Sequence, residues 1–392
     1  MLSLSINIIL IITLFWKYRL MERQMGDPLV IMMFFLIIYS ITPVLYFFFD
    51  LKLLGLDNLP LINQNIYFLI LNYLSLFYFI FLIAPIKRSS FTLNCDFIKT
   101  QKSQNTAAIF IFCYIISLSL ASYYPWPKFN EDFQFGHSLV AFSKYFLLIS
   151  FTKYLLEDRS HITGIALILL YSFIEGSRTF LFQSLFILLI IKQIKIRQFL
   201  IYLPLVFIFV FLLTTLTLLR AEMDLSSNEI MNGVIWVFST ETILSTYSTL
   251  QAINLQDIIS NTYSPEEQFF IPFYSFSTLY INPIEYLNFI FNTNHIPFYD
   301  FEKLNPGKIG SMGGHYILAE HLFRFQYLFP FSILLEFLTY NILLLNTKKR
   351  IIKILIGSIA FMIIKSPIIV ITKTIIGFII AYYLIEKIIA LE

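Results

Sequence analysis

Long apolar runs, separated by charged segments, constrain this sequence more than any other feature. A helix needs about 20 apolar residues to cross the hydrocarbon core of a bilayer, and somewhat fewer where the bilayer thins. The runs show no alternation of polar and apolar residues, so they predict membrane-spanning helices instead of barrel strands. We identify eleven of them: about 2–16, 28–49, 66–86, 107–124, 138–156, 162–176, 179–191, 199–219, 325–346, 351–365 and 367–386.

The composition excludes most other classes of protein. Hydrophobic residues make up 58% of the chain and charged residues only 13%, against about 25% in an ordinary soluble domain. Disordered and disulfide-stapled chains are excluded as well, since apolar residues dominate and only Cys95 and Cys113 are present. The basic residues of the first run follow it, so that run predicts a span and not a signal peptide. We therefore predict an all-α, polytopic integral membrane protein with about 11 transmembrane helices.

Most of the 27 lysine and arginine residues lie in alternate loops of this eleven-span arrangement. Positively charged loops stay in the cytoplasm, so they predict the cytoplasmic face, with the N-terminus outside and the C-terminus inside. The residues of this basic set are Lys17, Arg19, Arg23, Lys87, Arg88, Lys99, Lys102, Lys153, Arg159, Lys192, Lys195, Arg197, Lys348, Lys349, Arg350, Lys353 and Lys387.

The opposite face carries one long acidic segment between Arg220 and Arg324. Eleven carboxylates and two lysines lie between those arginines, and a loop of this length is usually functional. We expect it to form an external domain that folds onto the membrane. The predicted parts of the chain are an N-terminal bundle of about eight helices, this external domain and a C-terminal bundle of about three helices: 1–219, 220–324 and 325–392.

Two arginines at outer ends of spans stand apart from the basic set. Arg178 lies in a tight turn of sequence Glu-Gly-Ser-Arg-Thr, residues 175–179, and Arg220 closes the eighth run. A guanidinium group cannot be neutralised by losing a proton, so each arginine must find water, an anion or a carboxylate.

Two interpretations of these arginines stay open. They could extend from helix ends into the interface and pair with carboxylates such as Glu175 or Glu222. Alternatively, they could bind phosphate, because the turn around Arg178 also offers free backbone amides and the hydroxyls of Ser177 and Thr179.

A second candidate site is the segment 313–324, in which two glycines precede a helical pattern. His315 falls near the start of the predicted helix, and Glu320 and Arg324 are four residues apart on one face. A histidine or carboxylate here could act as a general base; the alternative is an ordinary helix start with a Glu–Arg pair. A metal site is not predicted, since His315 and His321 have poor ligand spacing.

A few charged residues fall inside or near spans. Charges in the membrane are costly and usually functional. Lys144 and Lys373 could pair with Glu336 or with a lipid phosphate, and the sequence does not choose between these partners. The chain shows no internal repeat, no nucleotide-binding glycine pattern and no CxxC motif, so no cofactor and no nucleic acid is expected.

These features together resemble the Wzy-type O-antigen (oligosaccharide repeat unit) polymerases of bacterial inner membranes. The resemblance rests on the many spans and on one dominant external loop in the second half of the chain. It also rests on the Gly-Ser-Arg-Thr turn at 176–179, on Arg220 at the end of the next span, and on the Gly-Gly-His-Tyr…Glu segment at 313–320.

The resemblance implies a GT-C-like helical fold and a glycosyl transfer at the periplasmic face of the inner membrane. A growing glycan on undecaprenyl pyrophosphate moves to a newly flipped lipid-linked repeat unit, and a chain-length regulator is an expected partner. Undecaprenyl pyrophosphate leaves, so cations must stabilise its developing charge. By this resemblance the pyrophosphate is held by Ser177, Arg178, Thr179, Arg220 and Arg324, and the base is one of His315, Glu320 and Glu222.

Three other functions stay open at this point. An O-antigen ligase, which transfers the glycan to the lipid A core, would share the lipid donor and the outward arginines. A repeat-unit flippase or other transporter predicts internal repeats and short loops, and the sequence shows neither. A non-catalytic membrane scaffold would tolerate the loss of Arg178 or Arg220.

Overall fold

A computed structural model of the chain describes most of the predicted spans and little of the long acidic segment. The described residues are 2–20, 23–37, 64–83, 104–125, 135–157, 161–176, 178–196, 204, 208, 211, 212, 214, 215, 321, 329–365 and 368–390. Within these residues the chain is almost entirely helical and contains no β-strand, apart from one isolated antiparallel bridge between Gln24 and Lys195. The predicted all-α class is therefore confirmed.

The helices begin and end within about one turn of the ends of the apolar runs, except that the part of the run 28–49 after Ile37 is outside the described ranges and the run 351–365 is divided into two helices. In chain order they are α1 Leu2–Tyr18, α2 Pro28–Ile37, α3 Gln64–Ile83, α4 Gln104–Tyr123, α5 Phe135–Leu156, α6 His161–Glu175, α7 Arg178–Lys192, α8 Phe329–Asn346, α9 Arg350–Ser358, α10 Ala360–Lys365 and α11 Ile368–Ala390.

Three helical stretches in the described ranges are long and apolar enough to cross a membrane. They are Thr106–Tyr123, Leu139–Leu156 and Phe329–Asn346, and several shorter helices are equally apolar. The surface agrees with this, because large apolar side chains such as Trp16 (81% exposed) and Ile162 (83% exposed) point outward. Such a surface is unfavourable in water and suits lipid. The described helices are thus compatible with a membrane protein.

Helix α9 and the residues that follow it form the centre of the bundle. Helix α9 contacts α5, α7, α8 and α11, and nearly all side chains from Ile352 to Ile364 are buried. Phe361 lies in an aromatic cluster with Phe35 on α2 and with Phe182 and Phe186 on α7, at ring-centroid distances of 5.4–5.5 Å. This packing holds α2, α7 and α10 together in the interior.

The run 351–365, predicted as one span, consists of two helices, α9 and α10. The helix breaks at Ile359, between α9 and α10, where the backbone angles are φ −92° and ψ 9°. A Gly-Ser pair, residues 357–358, precedes the break and is a common cause of kinks. The Tyr340 hydroxyl donates a hydrogen bond of 3.0 Å to the Ile356 carbonyl, which supplies a polar partner beside the break in an apolar core.

Helix α2 begins with a capped and buried first turn. Asp27 accepts a hydrogen bond from the Leu29 amide at 2.9 Å, and Pro28 takes the first helical position, where a missing N–H costs nothing. The other carboxylate oxygen of Asp27 lies 2.6 Å from the Arg23 guanidinium. Burial raises the pKa of the Asp27 carboxyl above its ordinary value, and the Arg23 charge offsets part of that rise.

The short loop before α2 packs against the C-terminal end of α7. The Met25 amide donates a hydrogen bond of 2.7 Å to the Ile194 carbonyl. Gly26 lies so close to α7 that a Cβ atom there would be 2.4 Å from the Ile190 backbone nitrogen. Only glycine therefore fits between the loop and α7.

Replacing Gly26 with alanine is expected to destabilise the protein by about 1–3 kcal/mol, because the backbone of α7 must move to admit the methyl group. Thermal unfolding in detergent measures this as a lower midpoint. Gly164→Ala is the matched control, since the added methyl there meets the ring of Tyr154 at 3.0 Å and not a backbone. Equal midpoints for the two variants would contradict the close packing at Gly26.

Several polar contacts join helix ends that the basic loops predict to be cytoplasmic. Lys17 at the end of α1 donates to the Leu82 carbonyl at the end of α3. Thr106 in the first turn of α4 donates to Glu157 just after α5 at 2.6 Å, and Lys153 near the end of α5 pairs with Glu386 on α11. These contacts group together ends that alternating membrane crossings would place on one face.

Candidate functional site

The turn between α6 and α7 is as tight as the sequence predicts. Helix α6 ends at Glu175 and α7 begins at Arg178. Gly176 has φ 78° and its amide donates to the Ser172 carbonyl at 2.9 Å. This left-handed conformation favours glycine and ends α6. The chain therefore reverses within two residues, and Arg178 stands at the first position of α7.

A buried ion pair joins the last residue of α6 to helix α5. The Lys144 ammonium on α5 lies 2.8 Å from a carboxylate oxygen of Glu175. The Glu175 side chain is 0% exposed and that of Lys144 is 12% exposed. A buried carboxylate is costly without a compensating charge, so the lysine stabilises Glu175 in this position. Tyr171, one turn earlier on α6, is also fully buried and interacts electrostatically with Glu175.

The first turn of α7 offers groups that suit an anion. The first amides of a helix have no carbonyl partner within the helix and carry a partial positive charge. Thr179 lies here with a half-buried side chain. A phosphate oxygen placed at this helix start could therefore accept hydrogen bonds from backbone amides, close to residue Arg178.

An apolar groove runs along α7 from one turn below Arg178. Leu181, Leu185 and Leu188 line one wall, and their spacing places them on one face of α7. Arg178 lies three residues before Leu181, so it occupies the end of the same face. The other lining residues are Phe151, Ile165, Ile168, Leu169, Ser184, Ile208 and Leu212. The groove suits a hydrocarbon chain whose charged end lies near the turn.

A second buried polar cluster links residue 321 to α8. His321 Nε2 lies 2.5 Å from Glu336 Oε2, and His321 Nδ1 lies 2.6 Å from the Ser332 hydroxyl oxygen. His321 is 3% exposed and Glu336 is 9% exposed. Ser332 and Glu336 are four residues apart, so both face the histidine from one side of α8.

The hydrogen bonds of this cluster engage both ring nitrogens of His321. The Ser332 hydroxyl donates to the Phe329 carbonyl at 2.9 Å, so its oxygen accepts from an N–H at His321 Nδ1. The other ring nitrogen, Nε2, contacts Glu336. Because both ring nitrogens are engaged, His321 joins the chain before α8 to α8 itself.

The predicted site residues are only partly described. Arg178 and Thr179 lie together in the first turn of α7. The remaining predicted residues lie outside the described ranges: Ser177, Arg220, Glu222, His315, Glu320 and Arg324. No group of three histidine, cysteine, aspartate or glutamate residues that could hold a metal ion is found in the described part of the chain.

The structure also answers a question that the sequence left open. Lys144 pairs with Glu175, and Glu336 pairs with His321. The partners are 31 and 15 residues apart. A lysine and two carboxylates inside apolar runs signal that partners must exist, yet the identity of each partner depends on how the helices pack.

Comparison with known proteins gives no relative. The chain matches no protein-family model, no curated protein and no solved structure.

Proposed function

We propose that this protein polymerises undecaprenyl-pyrophosphate-linked oligosaccharide repeat units into O-antigen or a related surface polysaccharide. The reaction takes place at the outer face of a bacterial inner membrane. The bond between the anomeric carbon of the growing glycan and the pyrophosphate oxygen breaks. A bond forms to a hydroxyl of the incoming lipid-linked repeat unit, whose proton passes to a base, and undecaprenyl pyrophosphate leaves.

The observation that carries this proposal is the α6–α7 turn. An arginine that cannot be neutralised opens a helix, where the unpaired amides favour negative charge. Positive groups at this place would stabilise the charge that develops on a leaving pyrophosphate. Arg178 has this role in the proposal, with Ser177 and Thr179 beside it and with Arg220 and Arg324 as further cations.

In this proposal, the base is one of the residues that the resemblance implies. His315, Glu320 and Glu222 are the candidates, and each belongs to the proposed periplasmic domain at 220–324. No cofactor takes part in the proposal. The partners are the lipid-linked donor and acceptor, membrane lipid and a chain-length regulator.

The proposed architecture has eleven spans in a GT-C-like arrangement, with the N-terminus in the periplasm and the C-terminus in the cytoplasm. Two observations support it. The described helices coincide with the predicted apolar runs, and basic helix ends such as Lys17 and Lys153 take part in contacts between ends that the proposal places on the cytoplasmic side. Lipid-anchored substrates would then reach the site between helices from the outer leaflet.

The groove along α7 receives the prenyl chain of the substrate in this proposal. Its lining residues are apolar apart from Ser184, whose hydroxyl donates to the Phe180 carbonyl of its own helix at 2.9 Å. A hydrocarbon chain there would place its phosphate end towards Arg178. The proposal therefore links the groove and the turn as the tail and head of one lipid site.

Replacing Leu185 with tryptophan is expected to fill the groove and raise the KM for the lipid-linked substrate about tenfold, because a bulky ring displaces the chain. Ile342→Trp on the exposed surface of α8 is the matched control. Polymerisation kinetics in lipid nanodiscs measure both variants. Equal KM values for the two would show that the groove does not hold the substrate chain.

Reconstitution tests the proposed reaction itself. The purified protein in nanodiscs is supplied with the lipid-linked repeat unit from its source strain. We expect longer lipid-linked glycans, with one undecaprenyl pyrophosphate released for each added unit. Glycan transfer that requires added lipid A core would identify a ligase instead, and transport of the intact lipid without elongation would identify a flippase.

A further inference from the structure

We propose that two tyrosines at the end of α4 form a carbohydrate-binding platform, on which a sugar ring of the lipid-linked glycan stacks. This inference rests on the function proposed above. It names a binding surface for the glycan part of the substrate, separate from the α6–α7 turn and from the groove along α7. The platform consists of Tyr123, the last residue of α4, and Tyr124 directly after it.

Tyr123 supplies the exposed ring of the platform. It is 77% exposed, yet an edge-to-face contact with Tyr124 holds its ring, at a centroid distance of 4.7 Å and an interplanar angle of 75°. The face of an aromatic ring carries partial negative charge and attracts the C–H groups on the face of a sugar. A tyrosine also offers a large contact area at a low cost in conformational entropy. Tyr123 therefore suits a sugar ring as a stacking partner.

Tyr124 is held in place by the start of α5. Its ring lies against Gly136, where an added Cβ atom would overlap the ring. It also makes an edge-to-face contact with the buried His137, at 6.2 Å between ring centroids. The Tyr124 amide donates to the Leu120 carbonyl at 2.8 Å, which continues the backbone bonding of α4. Support from two helices gives the platform one orientation, and a preorganised surface loses less entropy on binding.

The platform lies at the same end of the bundle as the α6–α7 turn, and further out. The Lys144–Glu175 pair joins α5 to the end of α6, and the Ser117 hydroxyl on α4 donates to a carbonyl of α5 at 3.3 Å. At 1.5 Å per residue, Tyr123 lies about 9 Å beyond Ser117 along α4. Likewise, His137 lies about 10 Å beyond Lys144 along α5. A glycan whose pyrophosphate lies at the turn would extend past these helix ends.

Membrane anchoring is the alternative role for an exposed tyrosine at a helix end. An anchor divides its ring between lipid and water, and it does not depend on a glycan. A stacking platform instead changes the affinity for an oligosaccharide that carries no lipid. Trp16 is a matched control, because it is as exposed as Tyr123 and lies near the end of α1, which the basic loops predict to be cytoplasmic.

Binding of the free repeat-unit oligosaccharide, released from its lipid, tests the platform. The purified protein in nanodiscs is titrated with this oligosaccharide and followed by NMR of the sugar protons. We expect Tyr123→Ala to weaken binding about threefold to tenfold, which is the loss of one stacked ring. Tyr123→Phe keeps the ring face and should bind within about twofold of wild type, and Trp16→Ala should bind like wild type. Thermal midpoints show that each variant is folded.

Elongation of the lipid-linked glycan by the same proteins separates this inference from the proposed function. A wild-type protein that elongates the glycan but binds the free oligosaccharide no better than Tyr123→Ala would overturn the platform alone. So would a wild-type protein that does not bind the oligosaccharide, and Tyr123 would then be an anchor. If the wild-type protein binds the oligosaccharide through Tyr123 but releases no undecaprenyl pyrophosphate, the proposed polymerase is overturned and the platform stands.

Discussion

Replacing Arg178 with alanine is expected to slow polymerisation by about a hundredfold to a thousandfold, which is the usual loss when one group that stabilises a developing charge is removed. In the structure Arg178 opens α7 two residues after the left-handed Gly176. The effect should appear mainly in kcat, because the charge on the leaving pyrophosphate develops in the transition state. Initial rates with the purified protein and its lipid-linked substrate measure it.

Two controls belong to the Arg178 experiment. Arg178→Lys keeps the charge and loses the two-pronged geometry of the guanidinium, so its rate should lie between those of wild type and Arg178→Ala. Lys195→Ala removes an exposed basic side chain just beyond the other end of α7 and should leave the rate unchanged. A folded Arg178→Ala protein that works at the wild-type rate would contradict the proposed role of the turn.

The second large effect is expected in stability, at the cluster of His321, Ser332 and Glu336. Replacing either His321 or Glu336 with leucine leaves its buried partner without a hydrogen-bond partner, which costs about 1–3 kcal/mol. The double leucine variant should recover most of this loss, because an apolar pair of similar size is often neutral. Ser332→Ala removes one hydrogen bond and should cost about 1 kcal/mol.

Thermal unfolding in detergent measures these four variants. We expect both single leucine variants to have lower midpoints than the double variant. A double variant that is as unstable as the sum of the two single variants would show that the partners act independently. Unchanged midpoints in the single variants would show that the 2.5 Å contact between His321 and Glu336 does not stabilise the protein.

The sequence predicted the local features of this fold well, for physical reasons. Apolar runs form helices because backbone groups in lipid must be satisfied within the segment, and α4, α5 and α8 follow their runs closely. The turn at Gly176 was equally readable, since a glycine between two apolar runs favours a reversal. Local composition therefore placed Arg178 at a helix start.

Features that depend on packing could not be predicted in this way. Nothing in the run 351–365 specifies a break at Ile359, because a Gly-Ser pair is tolerated inside many helices and the Tyr340 partner lies on another helix. The pairing of Lys144 with Glu175 likewise depends on how α5 lies against α6. Lys144 and Glu175 could be recognised in the sequence because charged residues are rare in apolar runs, but their pairing depends on the packing of the helices.

The most direct test of polymerisation is the lipopolysaccharide pattern of a strain from which this gene has been deleted. We expect lipid A core carrying a single repeat unit in the deletion strain, and a full ladder when the wild-type gene is restored. Restoration with Arg178→Ala should leave the single-repeat pattern, with the protein present in the membrane at wild-type amounts. A deletion strain that still makes the full ladder, or one whose core carries no repeat unit at all, would contradict the proposed polymerase.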